Sequence, residues 1–486
     1  MFKKSIPRIV VSGLRGGSGK TILSLSLVTL LRGKGLEVIP FKKGPDYIDA
    51  GWLAKASGAP CYNLDLFMMA PEQALQSFMT HSINFDVAVI EGNRGLYDGM
   101  DHKGTYSTAE LAKLLKAPVV IIIDCTKATN TIAAMVLGCQ KMDPGVMIGG
   151  VVLNRVATGR QESVIRKAIN EKCNIPVLGA IPKLKKDPFP ERHMGLTPHQ
   201  EHEGIDEAIA AVAEIGSQYL DMEAIWKVAS EAGVRRQGSG VGEKLITHPE
   251  QQGNVFTNPQ PPTPNPSVKI GIIRDSAFQF YYQENFEELE KRGAKLIEVS
   301  PLRGDKLPEL DALYIGGGFP ETHAIALAEN TGFRDSLYQA IQAGLPVYAE
   351  CGGLMYLGRG LILEGKTYPM VGALPVSFVL EKRPHAHGYT IVEVERSNPY
   401  YPQKTVLKGH EFHYSRPVDV DEGAYFVFNV KRGKGIVDNK DGMCYKNVLA
   451  AYTHIHAIGS PEWADCMMRC ALENKIGSEA RRKGMK

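Results

Sequence analysis

Two short stretches of this chain carry residue types whose order suits chemistry at a phosphate and at a carbonyl. The first runs Gly13-Leu14-Arg15-Gly16-Gly17-Ser18-Gly19-Lys20-Thr21, between the apolar Ile9-Val10-Val11 and an apolar-periodic segment from Ile22 to Leu31. A glycine-rich turn lets backbone N–H groups face phosphate oxygens without Cβ clashes, and the following helix N-terminus adds its dipole and unpaired donors. Gly16, Gly17, Ser18 and Gly19 would then cradle the anion, with Lys20 reaching the β- and γ-phosphates and Thr21 ligating Mg²⁺. ATP and Mg²⁺ are the expected cofactors. The loop is a variant, because Leu14 stands where the standard spacing places a glycine.

The second stretch is Ala349-Glu350-Cys351-Gly352-Gly353, which follows the apolar Leu345 to Tyr348 and precedes a helical pattern. This is the layout of a nucleophile elbow. The glycines permit a tight bend that exposes the Cys351 sulfur, and the Gly352 N–H, with a donor from Gly318 in the Gly316-Gly317-Gly318 loop, can hold an oxyanion. A helix N-terminus behind the thiol is expected to lower its pKa. The base must come from elsewhere in the sequence, and His454 in Tyr452-Thr453-His454-Ile455-His456 is preferred over His456.

Carboxylates fall where a phosphate site needs them. Ligands of open parallel sheets collect at the carboxyl ends of strands. Glu91 ends the run Asp86 to Ile90, Asp46 and Asp49 follow a second run ending at Phe41, and Asp124 closes a fourth. With Thr21 they make a candidate metal ring. Lys42, Lys43 and Arg94 are candidate holders of an anionic substrate.

These residues need a scaffold, and the pattern supplies one. Up to Ile181, short β-branched runs alternate with helical stretches, which reads as a parallel sheet covered on both faces. Between Gln237 and Ser267 the periodicity lapses and six prolines fall between Pro249 and Pro266, the mark of a linker. The alternation restarts at Val268. The fold expected is α/β in two domains, each a mostly parallel sheet with helices on both faces: residues 1–236, a linker 237–267, and 268–486. The 486 residues fit that division. With 56 basic against 53 acidic residues the charge is too balanced for a nucleic-acid or membrane surface, so a small anionic ligand is the expected partner. The short apolar N-terminal segment gives no secretory signal or membrane span, and eight scattered cysteines fit a reduced cytoplasm. His385, His387, His410 and His413 lack the companions of a zinc site and read as structural.

Three motifs in order, Phe41-Lys42-Lys43-Gly44-Pro45-Asp46-Tyr47-Ile48-Asp49, then Glu91-Gly92 with Gly95-Leu96-Tyr97-Asp98-Gly99, then Pro190-Glu191-Arg192-His193-Met194-Gly195-Leu196, resemble the cobyrinic acid a,c-diamide synthase family. The resemblance implies a first domain similar to dethiobiotin synthetase, in which ATP phosphorylates a carboxylate and nitrogen attacks the acyl phosphate. It also implies a class I type glutamine amidotransferase as the second. By the same carry-over, Asp46, Asp49 and Glu91 become metal or phosphate-site acids, with Asp98 beside the phosphorylated intermediate. Asn154 is implied to read the adenine edge, and Lys42, Tyr47, Arg192 and His193 to contact substrate. His454 aligns with the family histidine, and position 456, where typical class I enzymes carry Glu, is His, which implies a Cys-His dyad.

The function expected is ATP- and glutamine-dependent amidation of the a- and c-acetate arms of cobyrinate in cobalamin biosynthesis. Arg15 and Asn93-Arg94 depart from the family pattern and favour, as an alternative, the same chemistry on sirohydrochlorin or sirohaem. A rival of another class is a nucleotide switch whose second domain is not catalytic. Tetrapyrrole carboxylate, glutamine and ATP are the expected small-molecule partners; the oligomeric state is open, a homodimer being one form.

Overall fold

The computed structural model describes residues 6–184, 191–192, 195–202, 204–232 and 267–484. In the first half, seven strands form one sheet in the order Tyr62–Leu64, Val38–Lys43, Val87–Gly95, Arg8–Gly13, Val119–Asp124, Ile148–Val156, Val177–Pro182. Every pairing in it is parallel. Side chains of one strand alternate between faces. Val10 therefore packs into a cluster with Phe41, Ile90 and Ile121, while Ile9 and Val11 pack on the other face with Val89 and Val120. Both faces are covered, which is why the runs are almost uniformly apolar.

The helix Lys20–Gly33 starts from Gly19, whose φ of 100° only glycine adopts freely, and lies against helix Ile205–Tyr219. Ser26 Oγ donates to Val212 O at 2.7 Å, so this buried hydroxyl between the two helices is satisfied. The edge strand Tyr62–Leu64 has no counterpart in the sequence reading, because three residues are too short a run to register a period.

The second half is built on a ten-stranded sheet. Five strands, Ala294–Val299, Val268–Ile273, Ala312–Ile315, Val347–Glu350 and Val448–Ala451, are parallel as expected. The sheet then continues antiparallel through Lys440–Tyr445, Phe426–Arg432, Ala386–Val394, Val406–His413 and His454–Ile455. Strand Ala386–Val394 alternates buried and accessible residues along much of its length, so its apolar signal is diluted. The linker expected at 237–267 lies, but for Ser267, outside the described residues. Among the described residues no helix is long and apolar enough to cross a membrane.

The halves touch along a specific seam. Tyr62 donates to Glu287 at 2.8 Å, Tyr389 donates to Asp65 at 2.7 Å, and Gln73 donates to Ile458 O at 2.7 Å. A Cβ on Gly459 would lie 2.1 Å from Met68 O, so backbones meet there with no room for a side chain.

Trp463, on the helix Glu462–Gly484, is fully buried against Tyr314 and Tyr348. Trp463→Ala is expected to cost about 3–5 kcal/mol in urea unfolding, with Trp463→Phe substantially milder.

Candidate active site

The phosphate loop leaves strand Arg8–Gly13 and enters the helix at Lys20. Gly17 has φ 70°, and a Cβ on Gly19 would lie 2.4 Å from Asn154 Nδ2, so glycine is required at 19 on steric as well as conformational grounds. Leu14 causes no break: its carbonyl lies 2.6 Å from where a Cβ on Gly95 would stand, and Leu96 N–H bonds Gly13 O at 2.8 Å. The loop therefore rests on the Glu91 strand. Lys20 Nζ bonds Arg15 O at 3.2 Å, and burial lowers its pKa. Asn154 spends its Nδ2 on Ser18 O at 2.8 Å and its Oδ1 on the Arg155 N–H. In this arrangement it buttresses the loop, with one amide hydrogen and one oxygen lone pair still open.

The carboxylates expected as a metal ring converge, but on a lysine. Lys42 Nζ lies 2.5 Å from Asp49, 2.8 Å from Glu91 and 3.5 Å from Asp46, with the side chain 1% exposed. Lys42, expected to hold substrate, stands here as counter-ion to the fully buried Glu91 and to the partly exposed Asp46 and Asp49. Burial opposes its charge, yet the acids together raise its pKa well above the ordinary value. Burial pushes Asp46 up to about 6 and Glu91 up to about 7. Partial burial opposes the charge of Asp49, but Lys42's charge and hydrogen bond hold its carboxyl below the usual range. Thr21 Oγ1 donates to Glu91 Oε1 at 2.9 Å, while Glu91 Oε2 is buried with no partner. That orphaned oxygen beside a hydroxyl fits a hard divalent cation. No group of three or more His, Cys, Asp or Glu among the described residues is arranged to hold a metal. Asp124 stands apart: it pairs with Arg15 at 3.1 Å and Arg155 at 2.9 Å. Against its partial burial, bonds from Thr126 and these guanidinium groups hold it down to about 2.

Asp98 accepts the Gly95 N–H at 2.9 Å and lines the same opening as Asp46 and Asp49. Arg192 sits in a two-residue strand paired with Gly195, and His193 lies outside the described residues.

Across the seam, strand Val347–Glu350 delivers Cys351 at φ 47°, ψ −99°. A non-glycine residue pays strain to sit there, as a nucleophile elbow does. A Cβ on Gly353 would lie 2.6 Å from Ile315 O, and one on Gly352 would lie 3.0 Å from Gly318 N, so the elbow and the oxyanion donors are packed together. One expectation is corrected. Burial pushes the Cys351 thiol well up, with Glu321, Glu350 and Glu411 adding to it, although the Gly352 N–H pulls the other way. The helix behind it, Gly352–Leu357, has only six residues.

His454 packs on the same glycine loop: a Cβ on Gly317 would stand 2.6 Å from its Cε1. His456 is completely buried, its Nε2 3.5 Å from Glu284, which separates the two histidines by environment. Glu350 is the residue that sequence reasoning missed. Its Oε1 accepts the Ile455 N–H at 2.9 Å and its Oε2 accepts Tyr314 OH at 2.8 Å. That Oε2 lies 3.6 Å from His454 Nδ1, which has no hydrogen-bond partner of its own. The only sequence signal was its place directly before Cys351. An acid therefore stands beside the ring although position 456 is His.

A cavity of about 630 Å³ joins the halves, lined by Asp46, Asp49 and Asp98 on one side and His454, His410 and Phe412 on the other. Cys351 Sγ lies one layer behind, 3.9 Å from Phe412 O. Tyr47, expected to touch substrate, lines the cavity and also stacks on Phe280 at 5.3 Å and meets the His454 ring at 5.5 Å.

Residues 9–196 match the CobQ/CobB/MinD/ParA nucleotide binding domain, and residues 269–462 match the CobB/CobQ-like glutamine amidotransferase domain. A curated cobyrinate a,c-diamide synthase of Magnetococcus marinus is 39% identical over 464 residues, covering 96% of this chain and 97% of that protein. That of Archaeoglobus fulgidus is 39% identical over 478 residues, covering 98% and 100%. That of Methanothermobacter thermautotrophicus is 38% identical over 470 residues, covering 96% and 100%.

Because a side chain at Gly95 would collide with Leu14 O, Gly95→Val is expected to weaken ATP binding about tenfold or more in calorimetry. The rate of Cys351 alkylation, read by mass spectrometry, should not move; a parallel loss would mean global misfolding instead.

Proposed function

This chain belongs to the cobyrinate a,c-diamide synthase family, and on that premise we propose that it amidates the a- and c-acetate carboxylates of cobyrinate, using ATP and glutamine. It is a carbon–nitrogen ligase with glutamine as amido donor. The observation that carries the reading is the single cavity bordered by His454 from one half and by Asp46, Asp49 and Asp98 from the other. Ammonia made at one end needs no passage through bulk water, where it would be protonated, to reach an activated carboxyl at the other.

The glutamine half-reaction follows from the elbow. Cys351 Sγ attacks the carboxamide carbon while His454 takes the thiol proton and returns it to the departing nitrogen, releasing ammonia and a glutamyl thioester that water hydrolyses. The Gly352 and Gly318 N–H groups face the oxyanion, and Glu350 positions the His454 ring. In the other half, a substrate carboxylate oxygen attacks the γ-phosphorus of ATP and ADP leaves. Ammonia then adds to the acyl carbon and phosphate departs. Lys20 and the loop N–H groups hold the phosphates, and Asn154 holds the loop. Thr21 and Glu91 would hold Mg²⁺, which supplies neutralisation of the phosphate charge. Asp46 and Asp49 keep Lys42 at the γ-phosphate end, and Asp98 lies where the acyl phosphate would form.

Mass spectrometry of tetrapyrrole products with ATP and glutamine is expected to give a mono- and then a diamide from cobyrinate. Conversion of sirohydrochlorin in its place would select the alternative that Arg94 suggests. Cys351→Ser should abolish glutamine-driven amidation and retain the ammonia-driven reaction. ATP hydrolysis with no glutamine use by the unaltered chain would instead favour the nucleotide switch.

The raised Glu91 carboxyl gives a pH signature. Its pKa of about 7 means that a cation placed beside it expels a proton near neutral pH. Binding of Mg²⁺ with ATP at pH about 6.5 should release a large fraction of one proton, seen as different calorimetric heats in buffers of different ionisation enthalpy. The release should fade above pH about 8, where the carboxyl is already ionised, and be absent in Glu91→Gln.

A further inference from the structure

The acids of the inter-domain cavity all have partners, whereas its cations do not. Asp46 and Asp49 pair with Lys42, Asp98 accepts the Gly95 N–H, and Glu411 accepts the N–H groups of Lys434 and Gly435 at 2.6 and 3.0 Å. Against these, Lys43, Arg94, His387 and Arg432 line the same cavity, and no side-chain hydrogen bond or ion pair is formed by any of them among the described residues. Lys43 is the sharpest case. It is 5% exposed, and the nearby Asp65 spends its oxygens on the Phe67 and Met68 N–H groups and on Tyr389 OH. An unpaired buried cation is costly, and burial with Arg94 and Lys42 nearby lowers its pKa. His387, exposed to the cavity, is stacked on Phe412 at 4.4 Å, and partial burial with Arg94 nearby lowers its pKa, so that its ring offers a neutral N–H beside the three cations. Lys43 and Arg94 come from the ATP-binding half; His387 and Arg432 come from strands Ala386–Val394 and Phe426–Arg432 of the glutaminase half.

We propose that these four side chains form one carboxylate-binding wall spanning both halves, so that the glutaminase half, through His387 and Arg432, holds peripheral acetate and propionate arms of the tetrapyrrole. This rests on the functional reading above and extends it. A macrocycle with several carboxylate arms must present first one arm and then another to a single phosphorylation centre. A wall of unpaired cations can hold whichever arms are not reacting, because its contacts are charge-assisted and not specific to one arm. Phe412, packed under His387, adds an apolar face against which a planar ring can lie.

The test reads binding separately from turnover. Uroporphyrin, a fluorescent tetrapyrrole whose arms are all acetate or propionate, is titrated into the full chain without ATP or glutamine. Arg432→Gln is expected to weaken binding about tenfold, the loss of one charged hydrogen bond, His387→Gln by about threefold, the loss of a neutral one, and the double variant more. Arg432→Lys should recover part of the loss. Lys295→Gln, an exposed lysine on the edge strand Ala294–Val299, is the control and should not shift it. In turnover, the same variants should raise KM for cobyrinate while leaving kcat within about threefold. Equal uroporphyrin affinity in unaltered and double-variant chains, or no binding by either, overturns the proposal. So does a matching rise in KM for ATP, which would assign the cations to phosphate. Failure of the unaltered chain to amidate cobyrinate while it binds uroporphyrin in the expected pattern would sink the functional reading and leave the wall standing.

Discussion

The arrangement depends on Tyr47, a side chain that borders both reaction centres. It sits between Asp46 and Asp49, whose carboxylates grip Lys42, and its ring packs on Phe280 at 5.3 Å, Tyr282 at 4.7 Å and both His410 and His454 at 5.5 Å. Aromatic pairs of this kind contribute about 0.5–1.5 kcal/mol each beyond area burial, so the set is worth several times one surface ion pair. Its hydroxyl is buried without a hydrogen-bond partner, a cost the seam accepts. The segment that faces the phosphate end and the ring that touches the base therefore move together or not at all. A flexible tether could not do this, since it would leave the two centres free to part.

Lys42 solves a charge problem that the chemistry creates. A phosphate site needs buried acids near Thr21, and three of them unpaired would repel one another and the incoming nucleotide. One ammonium at 2.5, 2.8 and 3.5 Å from the three makes the cluster tolerable before nucleotide arrives. It also divides the acids by role. Glu91 keeps a buried unpartnered oxygen, its other one accepting from the Thr21 hydroxyl, while Asp46 and Asp49 each place a carboxylate oxygen on the lysine. Metal-ligand capacity is therefore narrower than the number of acidic residues at the strand ends.

Much of this was legible in the sequence, for identifiable reasons. The phosphate loop, the elbow and six of the seven strands of the first sheet announce themselves locally, through glycine spacing and apolar runs. What stayed hidden depends on contacts between distant residues. Nothing local distinguishes Lys42, at the centre of the acids, from Lys43, which faces the cavity unpaired; alternation along strand Val38–Lys43 sends them to opposite faces. Asn154 and Glu350 likewise acquire their surroundings only from partners 136 and 105 residues away. In the antiparallel half of the second sheet, strand Ala386–Val394 dilutes its apolar signal by alternating buried and accessible positions along much of its length, His387 was read only as structural, and Arg432 went unnoticed because a lone cation on an exposed strand face is ordinarily solvated.

The same logic explains why the elbow thiol is held protonated at rest. Burial and the charges of Glu321, Glu350 and Glu411 all oppose a thiolate, and the pull of the Gly352 N–H does not reverse them. A permanently ionised Cys351 would be open to adventitious electrophiles. A thiol that loses its proton only as glutamine arrives is not. The acid that penalises the thiolate also lies 3.6 Å from His454 Nδ1, where it borders the ring that receives the proton. Glu350 thus disfavours ionisation of the sulfur alone. The negative charge then passes to the substrate oxygen, facing the Gly352 and Gly318 N–H groups and away from the acids. Activation is tied to the presence of substrate by where the charges stand, and an acid two residues beyond the histidine is not required for it.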